Sequence, residues 1–441
     1  MTELPSKARA VIVGGGIVGC SVAYHLAKLG WKDVVLLERK QLTSGTTWHA
    51  AGLIAQLRAT SNMTRLAKYS QELYYELEEE TGLATGFRRV GSMTVALNSE
   101  RLEELQRSAS MARDFGVEID ETDPAEIKSC YDYLNTEDVI GGVYLPKDGQ
   151  GDPTNITLAL AKGARQNGAK IFENVKVTGV SQDGGRVTGV QTEQGDIEAE
   201  FVVNCAGMWG RELGKMAGVS VPLQACEHFY IVTEAIEGLT KQPVLRVPDE
   251  CTYYKEDAGK FLVGAFELNA KPWGMDGIPD NFCFDQLPED IDHFEPILEA
   301  AVNRLPILAT AGIHTFFNGP ESFTPDDRYL LGEAPELKNF FVAAGFNSVG
   351  IQSAGGAGMA LAQWMDGGEA PFDLWDVDIR RMQPFQNSRT YLVERSKETL
   401  GLLYADHFPY RQFATARGLR RSALHEHLKA AGACFGEVAG W

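Results

Sequence analysis

The chain has 441 residues, of which 44% are hydrophobic and 23% are charged, a balance typical of globular proteins that bury a large core. Its formal net charge of −19 disfavours binding to nucleic acid or to an anionic membrane, because phosphate groups carry the same sign. The seven cysteines lack regular spacing, which argues against a disulfide framework and against a thiolate metal site.

The first residues show no targeting signal. Residues 1–6 lack the charged and apolar segments of a secretory leader and run almost directly into a strand. No apolar run in the sequence reaches membrane-spanning length. Together with the cysteine pattern, this leads us to expect a cytoplasmic protein without a membrane partner.

The first predicted unit is a β-α-β unit. An apolar strand at 8–13 ends in glycines, a helix follows at 16–29, and a buried strand at 34–37 is closed by Glu38. A glycine-rich turn between a strand and a helix, with an acidic residue after the second strand, is typical of dinucleotide-binding proteins.

The glycines of this turn have distinct predicted roles. Gly14 permits the tight turn, Gly16 lets a pyrophosphate approach the helix N-terminus, and Gly19 lets helix and strand pack closely. Glu38 is placed to accept hydrogen bonds from a ribose hydroxyl, and its charge disfavours a 2′-phosphate. The unit therefore predicts binding of FAD or NAD.

A small, hydroxyl-rich segment follows. Residues 44–47 read Ser-Gly-Thr-Thr, a composition suited to contact with phosphate and flavin, and His49 comes two residues later. A lone histidine in a loop is usually structural, but this one lies where the chain passes beneath a bound dinucleotide. His49 is therefore a candidate cofactor contact.

The middle of the chain predicts alternating helices and strands. Helices are predicted at 62–82, 99–115 and 156–166, and strands at 88–97, 170–175 and 200–207; residues 177–180 and 186–192 pair as a hairpin across Asp183-Gly184-Gly185. Strand-like runs at 229–233, 251–255 and 261–266 suit an antiparallel sheet that covers a pocket.

A second glycine turn lies about 330 residues after the first. The run 341–350 reads as a strand, a turn with Gly345 and Gly350, and the start of a helix. An NAD domain needs no such return to the cofactor, whereas a helix N-terminus here would stabilise negative charge on the pyrimidine edge of a reduced flavin. The second turn therefore favours FAD.

Several motifs resemble one flavoprotein family. They are SGTTWHAAGL (44–53), ELEEETGL (76–83), DPTN (152–155), VVNCAGMW (202–209), GPESFTPDDRYLLGEAPEL (319–337), GFNSVG (345–350) and RRSALHEHLKAAGACFGEVAGW (420–441). Together the chain resembles the sarcosine and dimethylglycine dehydrogenases of the D-amino-acid-oxidase-like superfamily along nearly its whole length. The resemblance implies FAD-dependent oxidative demethylation of an N-methyl amino acid.

The resemblance also implies details of cofactor and partners. His49 corresponds to the histidine that bonds covalently to the 8α-methyl carbon of FAD. Family members continue into a folate-binding domain, where tetrahydrofolate captures the iminium product that otherwise yields formaldehyde. Electrons pass to oxygen or to an electron-transfer flavoprotein. From about residue 376 this sequence is polar and arginine-rich and stops at Trp441, so we expect part of a longer polypeptide.

We predict an α/β (α+β) fold in which a discontinuous Rossmann-like FAD-binding domain is joined to an antiparallel-sheet substrate domain. The FAD domain is expected at 1–90, 150–222 and 323–375, the substrate domain at 91–149 and 223–322, and a connector toward a folate-binding domain at 376–441. The predicted cofactor contacts are Gly14, Gly16, Ile17, Val18, Gly19, Glu38, Arg39, Ser44, Gly45, Thr46, Thr47, Trp48, His49, Leu53, Val175, Ala206, Gly207, Gly345, Asn347, Ser348, Val349, Gly350 and Ile351.

Two residues are candidates for the chemistry. The amine of the substrate must be neutral before a hydride leaves its methyl carbon, so a group that accepts its proton would help. The resemblance points to His228 and Tyr254, while alternation along the strand requires only that Tyr253 and Tyr254 face opposite sides. For the cation that binds the substrate carboxylate, Arg328, Arg58 and Arg89 remain open.

Two rival functions remain. The regulatory subunit of pyruvate dehydrogenase phosphatase resembles these enzymes, and a regulator that had lost catalysis could also lose His49, His228 and Tyr254, which are all present here. An oxidase that passes electrons to oxygen and acts on another secondary or tertiary amino acid is the second alternative. The choice between dimethylglycine and sarcosine is open, because one methyl group in a pocket changes binding by only about 1–3 kcal/mol.

Overall fold

The computed structural model describes residues 3–407, 411–438 and 440–441. Its α-helices are α1 (Ile17–Lys28), α2 (Ser61–Thr81), α3 (Ser99–Asp114), α4 (Pro124–Cys130), α5 (Pro153–Gln166), α6 (Gly210–Met216), α7 (Ile291–Arg304), α8 (Gly350–Gly367), α9 (Arg389–Leu402) and α10 (His425–Ala430). Its strands are β1 (Lys7–Val13), β2 (Val34–Leu37), β3 (Leu53–Ile54), β4 (Ser92–Ala96), β5 (Asp120–Thr122), β6 (Gly141–Leu145), β7 (Gly149–Gln150), β8 (Lys170–Phe172), β9 (Val177–Asp183), β10 (Arg186–Thr192), β11 (Ile197–Asn204), β12 (Gln224–Cys226), β13 (Phe229–Thr233), β14 (Val244–Val247), β15 (Thr252–Asp257), β16 (Lys260–Ala265), β17 (Pro272–Trp273), β18 (Ile313–Asn318), β19 (Glu321–Phe323), β20 (Leu330–Glu333) and β21 (Phe340–Ala344).

The first large sheet has the order β20-β21-β11-β1-β2-β8, with the β9–β10 hairpin attached to β11. Its centre is parallel: β1 pairs with β11 and β2, β2 with β8, and β11 with β21. Parallel strands place their carboxyl ends at one edge, where ligands of such sheets bind. Both glycine turns, which follow β1 and β21, therefore lie at the same edge.

Close helix packing supports this sheet. Helix α8 crosses α1 and α2 through glycines: a Cβ on Gly355 would lie 2.7 Å from Ser70 Cα, and one on Gly358 would overlap Ser21 Oγ. The N–H of Gly356 donates to Ser70 Oγ at 2.8 Å. Because small residues let the three helices approach at backbone distance, the N-terminus of α8 is held at the sheet edge.

The second large sheet has the order β18-β13-β16-β15-β14-β4-β6-β5 and is antiparallel except for the β14–β4 pair. Its own apolar core lies on one face, with Phe229, Tyr254 and Phe261 fully buried. A three-stranded sheet, β17-β12-β19, lies beside it. The mixed α/β fold class is therefore as predicted, and the other face of the second sheet is left to cover a pocket.

The predicted elements are present with shifted ends. The three predicted helices correspond to α2, α3 and α5, and the predicted hairpin is β9–β10. Strands of the first sheet come from the segments expected for the FAD domain and strands of the second sheet from those expected for the substrate domain, while the domain limits themselves stay a prediction. Within residues 3–407, 411–438 and 440–441, no helix has the length and apolar character to span a bilayer.

Candidate active site

The first glycine turn forms one wall of a long cavity at the sheet edge. Gly14 has φ +118°, and a Cβ there would overlap the carbonyl oxygen of Cys205. A Cβ on Gly19 would overlap the carbonyl oxygen of Gly14. These contacts leave no room for a larger residue, so the two glycines fix the close packing of the turn against β11 and place it at the N-terminus of α1, where a pyrophosphate can approach.

Glu38 lines the same cavity and is buried. Its carboxylate accepts hydrogen bonds from the N–H of Gly15 at 2.7 Å and from the N–H of Lys40 at 2.8 Å. Burial raises the pKa of this carboxyl, while the two N–H donors oppose that rise. Glu38 therefore also ties the glycine turn to β2, in addition to its predicted contact with a ribose.

The second glycine turn lies opposite. Gly345, Asn347 and Ser348 have φ values of +66°, +47° and +59°, so the chain passes through left-handed conformations before α8 begins. The Asn347 amide is used within the protein, accepting from the N–H of Thr324 at 2.7 Å and donating to the carbonyl of Gly345 at 3.0 Å. Its side chain therefore shapes the turn.

Most of the predicted cofactor residues meet at this cavity. Eighteen of the 23 line it: Gly14, Gly16, Ile17, Val18, Glu38, Arg39, Ser44, Gly45, Thr46, Thr47, Val175, Ala206, Gly207, Gly345, Asn347, Ser348, Gly350 and Ile351. His49, Leu53 and Val349 instead line a second cavity, Gly19 acts through packing, and Trp48 packs among aromatic rings. Sequence reasoning missed Trp209, which lines the first cavity with Arg39 stacked on it at 4.1 Å.

His49 ends a short 3₁₀ turn, Thr47–His49, between the two cavities. Its ring is 4% exposed, lies 5.0 Å from the Phe317 ring, and carries an Nε2 atom without a hydrogen-bond partner in the described part of the chain. Burial, assisted by the nearby His228, lowers the pKa of His49 to about 3. The imidazole is therefore neutral at physiological pH, with one ring nitrogen uncommitted.

The two cavities meet at residues from three separate segments: Ala50, Glu321, and Ser348 with Ile351 line both. A long cavity with an anion-binding turn, a ribose acceptor and a helix N-terminus fits FAD, and the orphaned Nε2 of His49 fits a contact with its flavin end. The reactive ring would then lie at the junction, with the second cavity open to a substrate.

The second cavity contains His228 and Tyr253. His228 precedes β13, is 4% exposed, and has its Nε2 3.5 Å from Ser348 Oγ. Tyr254, the tyrosine chosen from the sequence, packs in the apolar core of the second sheet, whereas the alternation of β15 turns Tyr253 toward the cavity.

Arginines also converge on this cavity. Of the three that the sequence left open, only Arg58 lines it; Arg328 pairs with Asp376 at 3.1 Å, and Arg89 lies over the Tyr75 ring at 4.1 Å. The sequence reading missed Arg246, which lines the cavity from β14. A charged residue inside the apolar run Val244–Val247 was the signal that could have found it.

Arg58 and Arg246 are available to an anion. Among the described residues neither guanidinium forms an ion pair with a carboxylate, whereas Arg101 at the same cavity is held by Asp249 and Glu104. Burial lowers the pKa of Arg58, and the charge of Arg246 lowers it further. Asp148, a buried carboxylate at the same cavity, interacts electrostatically with both arginines without forming an ion pair, so this wall carries two cations and one anion.

Comparison with known proteins agrees with this geometry. The DAO family, described as FAD dependent oxidoreductase, matches residues 9–364, and FAO_M, an FAD dependent oxidoreductase central domain, matches residues 367–422. The structure resembles L-proline dehydrogenase from P.horikoshii with a TM-score of 0.77 and 26% identity, covering 88% of this chain and 100% of that one.

Curated relatives match along nearly the whole chain. It is 44% identical to 4-methylaminobutanoate oxidase (formaldehyde-forming) from Paenarthrobacter nicotinovorans, 43% to mitochondrial sarcosine dehydrogenase from Mus musculus and 40% to the mitochondrial pyruvate dehydrogenase phosphatase regulatory subunit from Mus musculus, each over 99% of this chain. The chain spans about half the length of these relatives, 53%, 48% and 50% respectively. The extent of the match and the cradle between the two glycine turns together show that the chain belongs to the DAO-type family of FAD dependent oxidoreductases.

Proposed function

We propose that this chain oxidises an N-methyl amino acid such as sarcosine or dimethylglycine. The observation that carries the proposal is the junction of the two cavities. A cavity that fits FAD opens at Ser348 into a pocket with an imidazole and two arginines, neither of which forms an ion pair in the described part of the chain. FAD supplies the acceptor for a hydride from the N-methyl carbon. The iminium product then hydrolyses to formaldehyde and the demethylated amine.

The pocket suits both ends of such a substrate. The amine must lose a proton before the hydride leaves, and the Nε2 atom of His228 lies at the junction to receive it. The carboxylate pairs with Arg58 and Arg246. Tyr253, in place of Tyr254, forms part of the proposed wall of the substrate pocket. Tyr230 also lines this pocket, and its ring stacks on Phe317 at 4.9 Å.

The central test is anaerobic mixing of the purified, flavin-loaded protein with sarcosine, dimethylglycine and 4-methylaminobutanoate. Loss of the flavin absorbance with any of them, together with formaldehyde after reoxidation, supports the proposal. A flavin that none of these compounds reduces would contradict it. The relatives also include a phosphatase regulatory subunit, and a protein that never retains flavin would favour that regulatory role.

The arginines give a second test. We expect Arg246→Ala to raise KM at least tenfold with little change in kcat, since a charge-assisted hydrogen bond contributes about 1.5–3 kcal/mol. Arg328→Ala is the matched control, because Arg328 pairs with Asp376 outside the cavity. Equal KM values in both variants would exclude Arg246 as the carboxylate contact.

We further propose that His49 bonds covalently to FAD. A neutral, buried imidazole with a free nitrogen could form a bond to the 8α-methyl carbon, with one hydrogen lost from each group. The two protons would pass to solvent and the two electrons to the flavin ring, which oxygen or an electron-transfer flavoprotein would reoxidise. Acid precipitation should keep yellow flavin in the pellet of the wild type and lose it in His49→Ala. The exposed His314→Ala serves as control. Flavin that stays in the wild-type supernatant would disprove the bond.

The electron acceptor and the fate of the one-carbon product belong to the whole protein. Peroxide formed during turnover in air would identify oxygen as the acceptor, and its absence with an active electron-transfer flavoprotein would identify that partner. Capture of the iminium by tetrahydrofolate requires a further domain, as in the family that the sequence resembles. The location in the cytoplasm stays a prediction.

A further inference from the structure

A buried carboxylate lies behind His228, on the side away from the cavity. Glu267 follows β16, is 6% exposed, and neither of its oxygens accepts a hydrogen bond in the described part of the chain. Its Oε2 atom lies 3.7 Å from Nδ1 of His228, which also has no hydrogen-bond partner there. A buried carboxylate without donors is unfavourable unless a proton or a cation compensates its charge.

The imidazole is the group placed to compensate it. Among residues 3–407, 411–438 and 440–441, no lysine or arginine forms an ion pair with Glu267. The other side of the pair is apolar, because the Phe266 ring lies 5.1 Å and the Phe323 ring 6.2 Å from the imidazole. Glu267 and the Nδ1 atom of His228 therefore face each other in a buried, apolar space.

The titratable groups that face His228 are few. They are Glu267 behind it, Glu321 on β19, and the neutral His49, while the Ser348 hydroxyl lies at Nε2. Burial lowers the pKa of His228, but the two carboxylates outweigh that effect and the net direction is upward. The imidazolium is thus stabilised by Glu267, which faces Nδ1, and by Glu321, which lines both cavities.

We propose that Glu267 is a positioning residue that holds the proton of His228 on Nδ1 and so presents a basic Nε2 to the substrate amine. The carboxylate fixes the tautomer and the ring orientation of His228, as a carboxylate does behind many functional histidines. When the substrate ammonium loses its proton, that proton moves to Nε2, and the imidazolium that forms pairs with Glu267. No electrons move in this step, and the pair of electrons on the amine becomes available.

This role of Glu267 rests on the proposed function, because it presumes a substrate amine. Its first test does not require enzyme activity. The pKa and tautomer of His228 are measured by NMR in the flavin-loaded protein labelled with ¹⁵N-histidine, with the resonance assigned from His228→Gln. We expect a proton on Nδ1 in the wild type. In Glu267→Gln the pKa should fall by at least one unit, because the stabilising charge is gone.

Glu227→Gln is the matched control. It removes the same charge at the residue next to His228, but the Glu227 carboxylate accepts from Asn318 Nδ2 at 2.7 Å and lies outside the pair. An equal shift in both variants, or a wild-type proton on Nε2, would overturn the proposal. If Glu267→Gln fails to fold, the position of the His228 proton in the wild type still tests the proposal.

Activity supplies the second readout. In Glu267→Gln we expect the acid limb of the pH profile for flavin reduction to move to lower pH and the plateau to fall about tenfold, with most of the rate restored in Glu267→Asp. An unchanged profile overturns the proposal. If no N-methyl amino acid reduces the flavin, the proposed function is contradicted. The NMR result on the His228 proton does not depend on that outcome.

Discussion

Gly319 decides where the His49 ring can lie. A Cβ at this position would come within 2.7 Å of Cε1 and Nδ1 of His49 and 2.5 Å from Cε1 of Phe317. The N–H of Gly319 also donates to the carbonyl of His228 at 2.9 Å, so the backbone there is held in place. The absence of a side chain is what lets the imidazole occupy its position between the cavities.

We therefore predict that Gly319→Ala lowers the covalently bound fraction of flavin several-fold. The added methyl group would push on both the His49 imidazole and the Phe317 ring that packs against it, because the backbone behind it is anchored to His228. The fraction is measured by the absorbance of acid-precipitated protein. Gly367→Ala is the control, since nothing lies within 4 Å of a Cβ there. A wild-type fraction in Gly319→Ala would show that the ring position does not govern attachment.

The residue scale also shows where sequence reasoning ends. Periodicity places one of Tyr253 and Tyr254 on each face of β15, but it does not reveal which face meets the cavity. Arg58 and Arg246 are distant in sequence, and only the fold brings the segment after β3 and the strand β14 to the same cavity. The pair of Glu267 and His228 likewise needs the fold, because neither residue belongs to a local motif.

At the scale of elements, α8 depends on the glycines along its buried face. A Cβ on Gly356 would lie 2.5 Å from Cα of Leu66 and would overlap the Leu66 carbonyl oxygen. Backbone atoms cannot yield as a flexible side chain does, so the helices must separate. Separation would also move the helix N-terminus that faces the cofactor cavity.

Gly356→Ala should therefore destabilise the protein by about 1–3 kcal/mol and lower its melting temperature by a few degrees. It should also weaken retention of FAD, because the turn before Gly350 moves with the helix. Differential scanning fluorimetry and flavin content measure the two effects. Gly367→Ala, at the open end of the same helix, should match the wild type; similar losses in both would point to helix propensity and not to packing.

Long periodic elements were predictable, whereas short strands were not. Helices α2, α3 and α5 carry enough apolar repeats to be found from sequence, and their ends moved by only a few residues. Strands β12, β17 and β19 have two or three residues each and exist because partners far along the chain pair with them. Such pairing leaves no local pattern to detect.

The whole molecule carries a buried histidine that should make it sensitive to acid. His25 on α1 donates from Nδ1 to the Ser21 carbonyl at 2.7 Å and contacts the Tyr69 hydroxyl of α2 at 3.0 Å. Burial lowers its pKa from 6.5 to about 4. Between these values the unfolded chain binds the proton and the folded chain does not, so this group's contribution to stability falls as the pH falls.

We predict that His25→Gln lessens the acid sensitivity of unfolding between pH 6.5 and 4. The free energy of unfolding of the wild type should fall by up to about 1.4 kcal/mol per pH unit because of this group. Glutamine does not titrate, so the variant lacks this dependence. Melting temperatures of both proteins at constant ionic strength measure the difference. The exposed His427→Gln serves as control. Parallel curves for the wild type and His25→Gln would contradict the prediction.

At the scale of the whole molecule, the position of the two glycine turns at one sheet edge was predictable from the sequence. Two glycine turns far apart required the chain to return to one sheet edge, and the parallel pairing of β1, β11 and β21 places them there. The junction between the cavities could not be predicted, because Ala50, Glu321 on β19, and Ser348 and Ile351 at the start of α8 come together only in the folded chain.

The cradle built from both ends has a consequence for biosynthesis. The first wall of the cavity, at Gly14, is synthesised early. The last wall, at Ile351, is synthesised only after most of these 441 residues. A nascent chain thus has no complete place for FAD until the first turn of α8 has been made. A premature stop before α8 would remove that wall and with it cofactor capture, however well the earlier segments fold.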